Sequence, residues 1–376
     1  MDISQYLEIF NFGTNLGIDF RQTHLVLTIL RKTFGKIRLV DYGVYPLFTG
    51  GQKEVQEAQW ISFITDFISK HPFNLDRVVI SIPREKVVAR FLRFPAAAKE
   101  NLRKVLEYEA PKYTPFDKDE LCFDYQILHE DKESIQVIAV YARKEEINLY
   151  LALLKKIGVQ PLSIQIPSVA ALNLFFLHQG DKGRDRSILL DMSSPFFEMN
   201  LLQGKNWEES FHLPLSPDDD YEGVILHTLK RVGWNGEKQN PPAFFVYGLD
   251  AGERGLPTFH QADPLQEVNP PPLDRIQMVR EEAKPDYIYP SIGLALQGLT
   301  RTRFDLNLLP QDLRKKVGER AKYVCLTFAV MAVVLLGTLI YGGYLGYSQT
   351  LRALQTQVEK RKPQAESVAK LKREAG

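Results

Sequence analysis

RSILLDMSSPFFEMNLLQGK (residues 186–205) repeats the pattern of NLGIDFRQTHLVLTILRK (residues 15–32). With Asp191 laid on Asp19, each stretch has apolar residues leading to an aspartate, a short polar turn, and then an alternating run. Leu25, Leu27 and Ile29 fall on Phe197, Met199 and Leu201. Alternation with a period of two is the signature of a strand with one buried face. Two such hairpins in one chain point to a duplicated α/β domain with a cleft between its halves.

The segments between the hairpins fit this reading. KIRLVDYGVY (36–45) continues the first hairpin as a third strand. EVQEAQWISFITDFISKH (54–71) has helical spacing, with Val55, Ala58, Ile61, Ile64 and Ile68 on one side. RVVISIP (77–83) and VVARFLRF (87–94) read as strands. AKENLRKVLEYEAPKY (98–113) reads as a helix limited by Pro111. FDYQIL and IQVIAVYA (123–128 and 135–142) flank a polar turn, and KEEINLYLALLKKIG (144–158) is a helix with a glycine stop. After the second hairpin, Ser216 is a candidate N-cap for a helix to Gly233, and PAFFVYGLDAG (242–252) is a buried strand entering a turn. A short helix is expected near Leu273–Glu282, and another over SIGLALQGL (291–299).

One segment departs from a globular composition. Tyr323 to Tyr347 runs 25 residues without a charge. As a helix it spans roughly 37 Å, enough for a hydrocarbon core of ~30 Å, with tyrosines at both ends where amphipathic rings favour the interface. Arg314, Lys315, Lys316, Arg320 and Lys322 precede it; Arg352, Lys360, Arg361 and Lys362 follow. That small asymmetry, the large N-terminal body and an N-terminus without a secretory pattern favour a cytoplasmic N-terminus. Gly342 and Gly346 form a GxxxG in the outer part of the span, spacing that permits close helix approach. Beyond it, Leu351, Leu354, Val358, Ala365 and Val368 form a short heptad pattern that Pro363 interrupts, which reads as a helical stalk.

Net charge is +1, which gives no field for nucleic acid. Two distant cysteines, Cys122 and Cys325, offer no disulfide framework. No His, Cys, Asp and Glu set has metal-ligand spacing, and no catalytic triad can be nominated.

Three stretches carry a family resemblance. FPAAAKENLRKVLEYEAPKYTPFDKDELCFDYQIL (94–128) contains Tyr113-Thr114-Pro115-Phe116 and Phe123-Asp124-Tyr125; YPSIGLALQGL (289–299) resembles a closing helix; FDLNLLPQDLR (304–314) contains Asn307-Leu308-Leu309-Pro310. In this order they resemble the type IV pilus assembly protein PilM joined to the start of its partner PilN, the layout also of the type II secretion protein GspL. The resemblance implies an actin-like, duplicated RNase H-like body over 1–300 with an inserted subdomain at about 84–160. It then implies a docking peptide and basic segment over 301–322, a single transmembrane helix over 323–347, and a helical stalk over 348–376.

It also implies an inner-membrane protein whose partners are the cytoplasmic assembly ATPase, a PilO/GspM-type inner-membrane subunit and further copies of itself. Phe304, Leu306 and Leu308 alternate, so an extended chain turns them to one side while Asn307 can bond backbone. The resemblance implies that this peptide, with Leu309 and Pro310, docks in a groove of an actin-like body, its own or a neighbour's.

Actin-like proteins hold ATP and Mg²⁺ between two phosphate hairpins and an adenosine loop, which implies Asp19, Thr23, Asp191, Ser193, Ser194 and Gly248 as nucleotide contacts. The surrounding residues depart from the pattern. Phe20-Arg21-Gln22-Thr23 stands where small residues are usual, Met192-Ser193-Ser194-Pro195 has serine for glycine, and Tyr247-Gly248-Leu249-Asp250 keeps one glycine of a pair. Arg21 and Gln22 would crowd a triphosphate, so the expectation is a scaffold that uses the fold for shape, with no obligatory cofactor. The competing class is an active actin-like ATP-binding protein, an ATPase or sugar-kinase-like phosphotransferase with nucleotide-dependent assembly, which predicts nucleotide binding abolished by Asp191→Ala.

Overall fold

The computed structural model describes residues 13–47, 53–71, 77–179, 186–193, 195–214, 221–231, 233, 242–248, 268–278, 285–314 and 319–374. The chain divides into a body, Met1–Lys315, and a second unit, Lys316–Gly376.

The first sheet of the body is built from β1 (Gly13–Phe20), β2 (His24–Thr33), β3 (Lys36–Pro46), β4 (Arg77–Ser81), β8 (Ser163–Gln165) and β14 (Ile276–Met278). Helix α1 (Lys53–Ser69) connects β3 to β4. Between β4 and β8 the chain forms a separate three-stranded sheet from β5 (Val87–Pro95), β6 (Leu121–Glu130) and β7 (Ser134–Arg143), with α2 (Leu102–Tyr113) and α3 (Lys144–Lys156). Helix α4 (Pro167–Gln179) leads to the second large sheet. That sheet holds β9 (Arg186–Ser193), β10 (Phe196–Gln203), β11 (Asn206–Pro214), β12 (Ala243–Tyr247) and β13 (Val268–Asn269), with α5 (Tyr221–Arg231) between β11 and β12. Helix α6 (Pro285–Leu296) closes the body.

The strand orders, β14-β3-β2-β1-β4-β8 and β11-β10-β9-β12-β13, share one plan. In each, an antiparallel meander is followed by a strand parallel to its first member. The registers also agree. Asp19 faces Val26, the residue after Leu25, and Asp191 faces Glu198, the residue after Phe197. Leu16 and Leu27 face Ile29 and Ile18, just as Ile188 and Met199 face Leu201 and Leu190. A one-residue slip would turn every core side chain to the opposite face, so the shared alternation fixes a shared register.

Two helices lie at the junction of the halves. Along α4, residues 167–175 are buried without interruption, the mark of a helix covered on all sides. Phe175 meets Phe245 of β12 at 4.9 Å. Helix α6 packs on β1, β2 and α4. This requires small residues: a Cβ on Gly17 would run into the Ser291 carbonyl, and one on Gly293 into the Ala170 carbonyl.

Three expectations are corrected here. The stretch from Leu273 is not helical over its described part; Ile276–Met278 instead pairs with Ile37–Leu39 at the sheet edge and buries Ile276. Pro111 lies inside α2, which ends at Tyr113 where Thr114 returns both its N–H and its hydroxyl to the Ala110 carbonyl. Pro363 lies within a continuous helix. Ser194, Ser216, Leu249 and Asp250 lie outside the described residues.

The second unit is one helix, α7 (Glu319–Glu374), long and apolar enough over Thr327–Ala369 to cross a membrane. Its apolar side chains, among them Val333, Leu339, Ile340 and Tyr347, stand exposed. Among the described residues, a Cβ at Gly342 or Gly346 would meet no atom within 4 Å. In water such a surface is costly, whereas in lipid it is the matching solvent.

Candidate functional site

The two equivalent strand ends, β1 at Asp19 and β9 at Asp191, meet in a cleft. The turn after β1 is closed by Arg21 N–H donating to the His24 carbonyl (3.0 Å). From this turn the Arg21 side chain crosses to the other half. Its Nε donates to Asp19 Oδ2 (2.7 Å), Nη1 to Asp191 Oδ1 (3.3 Å) and to Ser193 Oγ, and Nη2 lies 3.2 Å from Asp191 Oδ2. Ser81 Oγ donates to the remaining Asp19 oxygen (2.6 Å), and Ser193 Oγ to Asp191 Oδ1 (2.5 Å). All three charged residues are buried: Asp19 is 0%, Asp191 7% and Arg21 8% exposed. Burial pulls the guanidinium pKa down, but Asp19 and Asp191 outweigh it and raise it on balance. Burial raises the Asp191 pKa, against the pull of Arg21 and Ser193.

A second buried group lines the same cleft. Glu198 accepts from Ser168 Oγ and from Ser210 Oγ (3.0 Å), with Arg84 Nε at 3.6 Å. Burial lowers the Arg84 pKa, with Glu198 opposing. His212 stacks on Phe196 (4.7 Å), and burial, with the Arg84 charge second, pushes its pKa down to about 4.

Magnesium and phosphates do not fit this arrangement. Both oxygens of Asp19 and Oδ1 of Asp191 already accept from Arg21, Ser81 and Ser193, and Asp191 Oδ2 is ion-paired with Arg21. The cavity that remains measures about 50 Å³, against roughly 300–1,000 Å³ for a small-molecule site. Thr23 lines it, but its Oγ1 is engaged with His24 Nδ1 (2.9 Å). Gly248 has φ 121°, and a Cβ there would sit 2.7 Å from Asp191 Oδ1, so this glycine serves the close approach of β12 to the aspartate turn.

The second candidate is a groove filled by residues 304–314. Phe304, Leu306, Leu308 and Leu309 are each 2% exposed and belong to the main core cluster. Phe304 lies edge-on to Trp207 of β11 (5.5 Å) and tilted on Phe176 of α4 (5.8 Å). Asn173 of α4 clamps its backbone, accepting its N–H (2.8 Å) and donating to its carbonyl (2.9 Å). Leu308 N–H donates to the Ile164 carbonyl of β8 (2.8 Å), and Asn307 Oδ1 accepts from Ile164 N–H (3.1 Å) and Leu309 N–H (2.9 Å). Asn307 N–H donates to Asp124 of β6 (2.9 Å), and Gln126 bonds both Arg303 and Asp305. Arg314 folds back onto the Leu309 and Asn307 carbonyls and onto Asp124. Pro310 starts the single 3₁₀ turn that follows. The segment thus extends the β8 edge, a strand-addition mode in which an asparagine side chain substitutes for backbone.

Of the nucleotide residues named from sequence, Asp19, Asp191 and Ser193 come together around Arg21, Gly248 abuts Asp191, and Thr23 lines the cleft. Sequence reading missed Ser81, Arg84 and Glu198 in the cleft, and Asn173, Asp124 and Gln126 in the groove. The available signals were a carboxylate inside the apolar strand FFEMNLL and an amide inside the apolar helix VAALNLFF.

Two sheets of one plan and one register, meeting at equivalent aspartates, define an actin-like duplicated fold. The profile of the family described as type IV pilus assembly protein PilM matches residues 17–207, about half of the chain, and the chain belongs to that family. Among solved structures, a PilM-PilN type IV pilus biogenesis complex is similar at 18% identity, covering 76% of this chain and 99% of that one, with a TM-score of 0.63. The cytoplasmic domain of EpsL, an inner membrane component of the type II secretion system of Vibrio cholerae, is similar at 12% identity, covering 80% and 99%, with a TM-score of 0.50. At these identities the likeness is one of fold.

Proposed function

We propose that the chain is an inner-membrane scaffold of a type IV pilus or type II secretion assembly platform. In this reading its body faces the cytoplasm and joins the assembly ATPase to a PilO/GspM-type subunit and to further copies of itself. Residues 304–314 act as a PilN-type docking peptide carried on the same chain, and residues 323–347 cross the membrane. What supports this most is the order of parts: a PilM-type body, an extended segment seated in that body, then a helix with an apolar, exposed surface. The cleft supports a structural role, since its carboxylates are committed to an internal arginine.

The test uses the full chain in detergent with the assembly ATPase of the same organism. Co-elution on size exclusion, unchanged by nucleotide, is expected. A chain that fractionates as soluble and passes the ATPase without binding would remove the proposal.

A further inference from the structure

We infer that Arg21 is the resident ligand of the cleft, an internal cation that latches the two halves where the actin-like fold otherwise takes a magnesium nucleotide. The inference stands apart from the pilus reading and rests on the geometry of five residues. Asp19 and Asp191 occupy equivalent positions in the two sheets, so a cation between them joins the halves. Arg21 reaches both, with Nε on one aspartate and the two Nη atoms on the other. A buried carboxylate without a partner is strongly destabilising, and two facing one cleft need compensation. The planar guanidinium supplies it with directed donors, which a lysine cannot reproduce. The polar neighbours complete the set: Ser81 takes the free Asp19 oxygen, and Ser193 both accepts from Arg21 and donates to Asp191. A nucleotide could enter only by displacing Arg21 from both carboxylates, and the remaining space does not accommodate one.

The experiment is thermal unfolding of the full chain in detergent. Millimolar Mg-ATP is expected to leave the wild-type Tm unmoved; a dose-dependent rise would overturn the latch. Arg21→Met, which strands both carboxylates, is expected to lower Tm on the order of 6–10 °C. Arg21→Lys, which keeps the charge without the fork, should fold and lose part of that. Combined with Asp191→Asn, Arg21→Met is expected to lose clearly less than the two single changes together, since they share one interaction. Strict additivity, or an Arg21→Lys chain as stable as wild type, would refute the inference. Should Arg21→Met not fold, the wild-type Mg-ATP arm and Arg21→Lys still decide it.

Discussion

Truncation of Phe304 to alanine is expected to release residues 304–314 from the body while leaving the body folded. The ring is 2% exposed and rests on Trp207 and Phe176, and its backbone is held twice by Asn173. Removing a buried phenylalanine costs ~3–5 kcal/mol. The segment follows the last helix of the body and, among the described residues, is held to its neighbours without a strand ladder of its own, so it can open locally, and the loss falls on the docking equilibrium. At ~1.4 kcal/mol per factor of ten, amide protection in the segment should fall roughly a hundred- to a few-thousand-fold. Hydrogen exchange read by mass spectrometry on the full chain in detergent measures this. The N–H groups of Phe304, Asn307 and Leu308 report on the segment, and those of β9, β10 and β12 on the body. Unchanged protection at 304–309 would refute the reasoning. So would an equal loss across β9–β12, which would make the segment an inseparable part of the core.

Gly293→Ala should lower the Tm of the body, because the new Cβ meets the Ala170 backbone carbonyl, which cannot swing aside; overpacking of this kind costs ~1–3 kcal/mol. Acid sensitivity should trace in part to His212. Its folded pKa of about 4 lies below the ordinary 6.5, so on acidification the unfolded chain takes up the proton first. Stability is therefore lost between about pH 6.5 and 4, and His212→Gln should flatten that window in urea midpoints; an unchanged acid slope would argue against it. Leu335→Arg places a charge in the middle of the uncharged stretch at a cost of ~2.5–3.5 kcal/mol and should reduce the alkali-resistant membrane fraction. If the unmodified chain is itself released by alkali, the span is not a span.

The hairpin repeat was readable because alternation and register are one property: apolar residues at every second position leave one pairing that buries them all. The docking segment was readable for the same reason at Phe304, Leu306 and Leu308. Leu309 breaks the alternation and is buried nonetheless, because Asn307 takes the backbone role and the chain turns at Pro310. The edge strand Ile276–Met278 was misread as helix, since a segment so short carries no period and its pairing depends on the open side of β3. Arg21 was visible as an obstacle but not as a bridge. Its proximity to Asp19 is local, whereas its contact with Asp191 exists only once both halves are folded.

The latch and the docked segment place the same demand on the body. Phe304 touches Trp207 of the second sheet and Phe176 of α4, while Asn307 binds β8 of the first sheet and Asp124 of the inserted one. One short peptide therefore spans three structural layers, and any movement of one half against the other would shear its contacts. An actin-like protein that opened and closed on a nucleotide cycle would repeatedly pay that cost. A body fixed by Arg21 avoids it, and the groove keeps one shape. A fixed body is what a scaffold requires, because a peptide held by directed backbone and asparagine bonds tolerates little displacement before those bonds are lost.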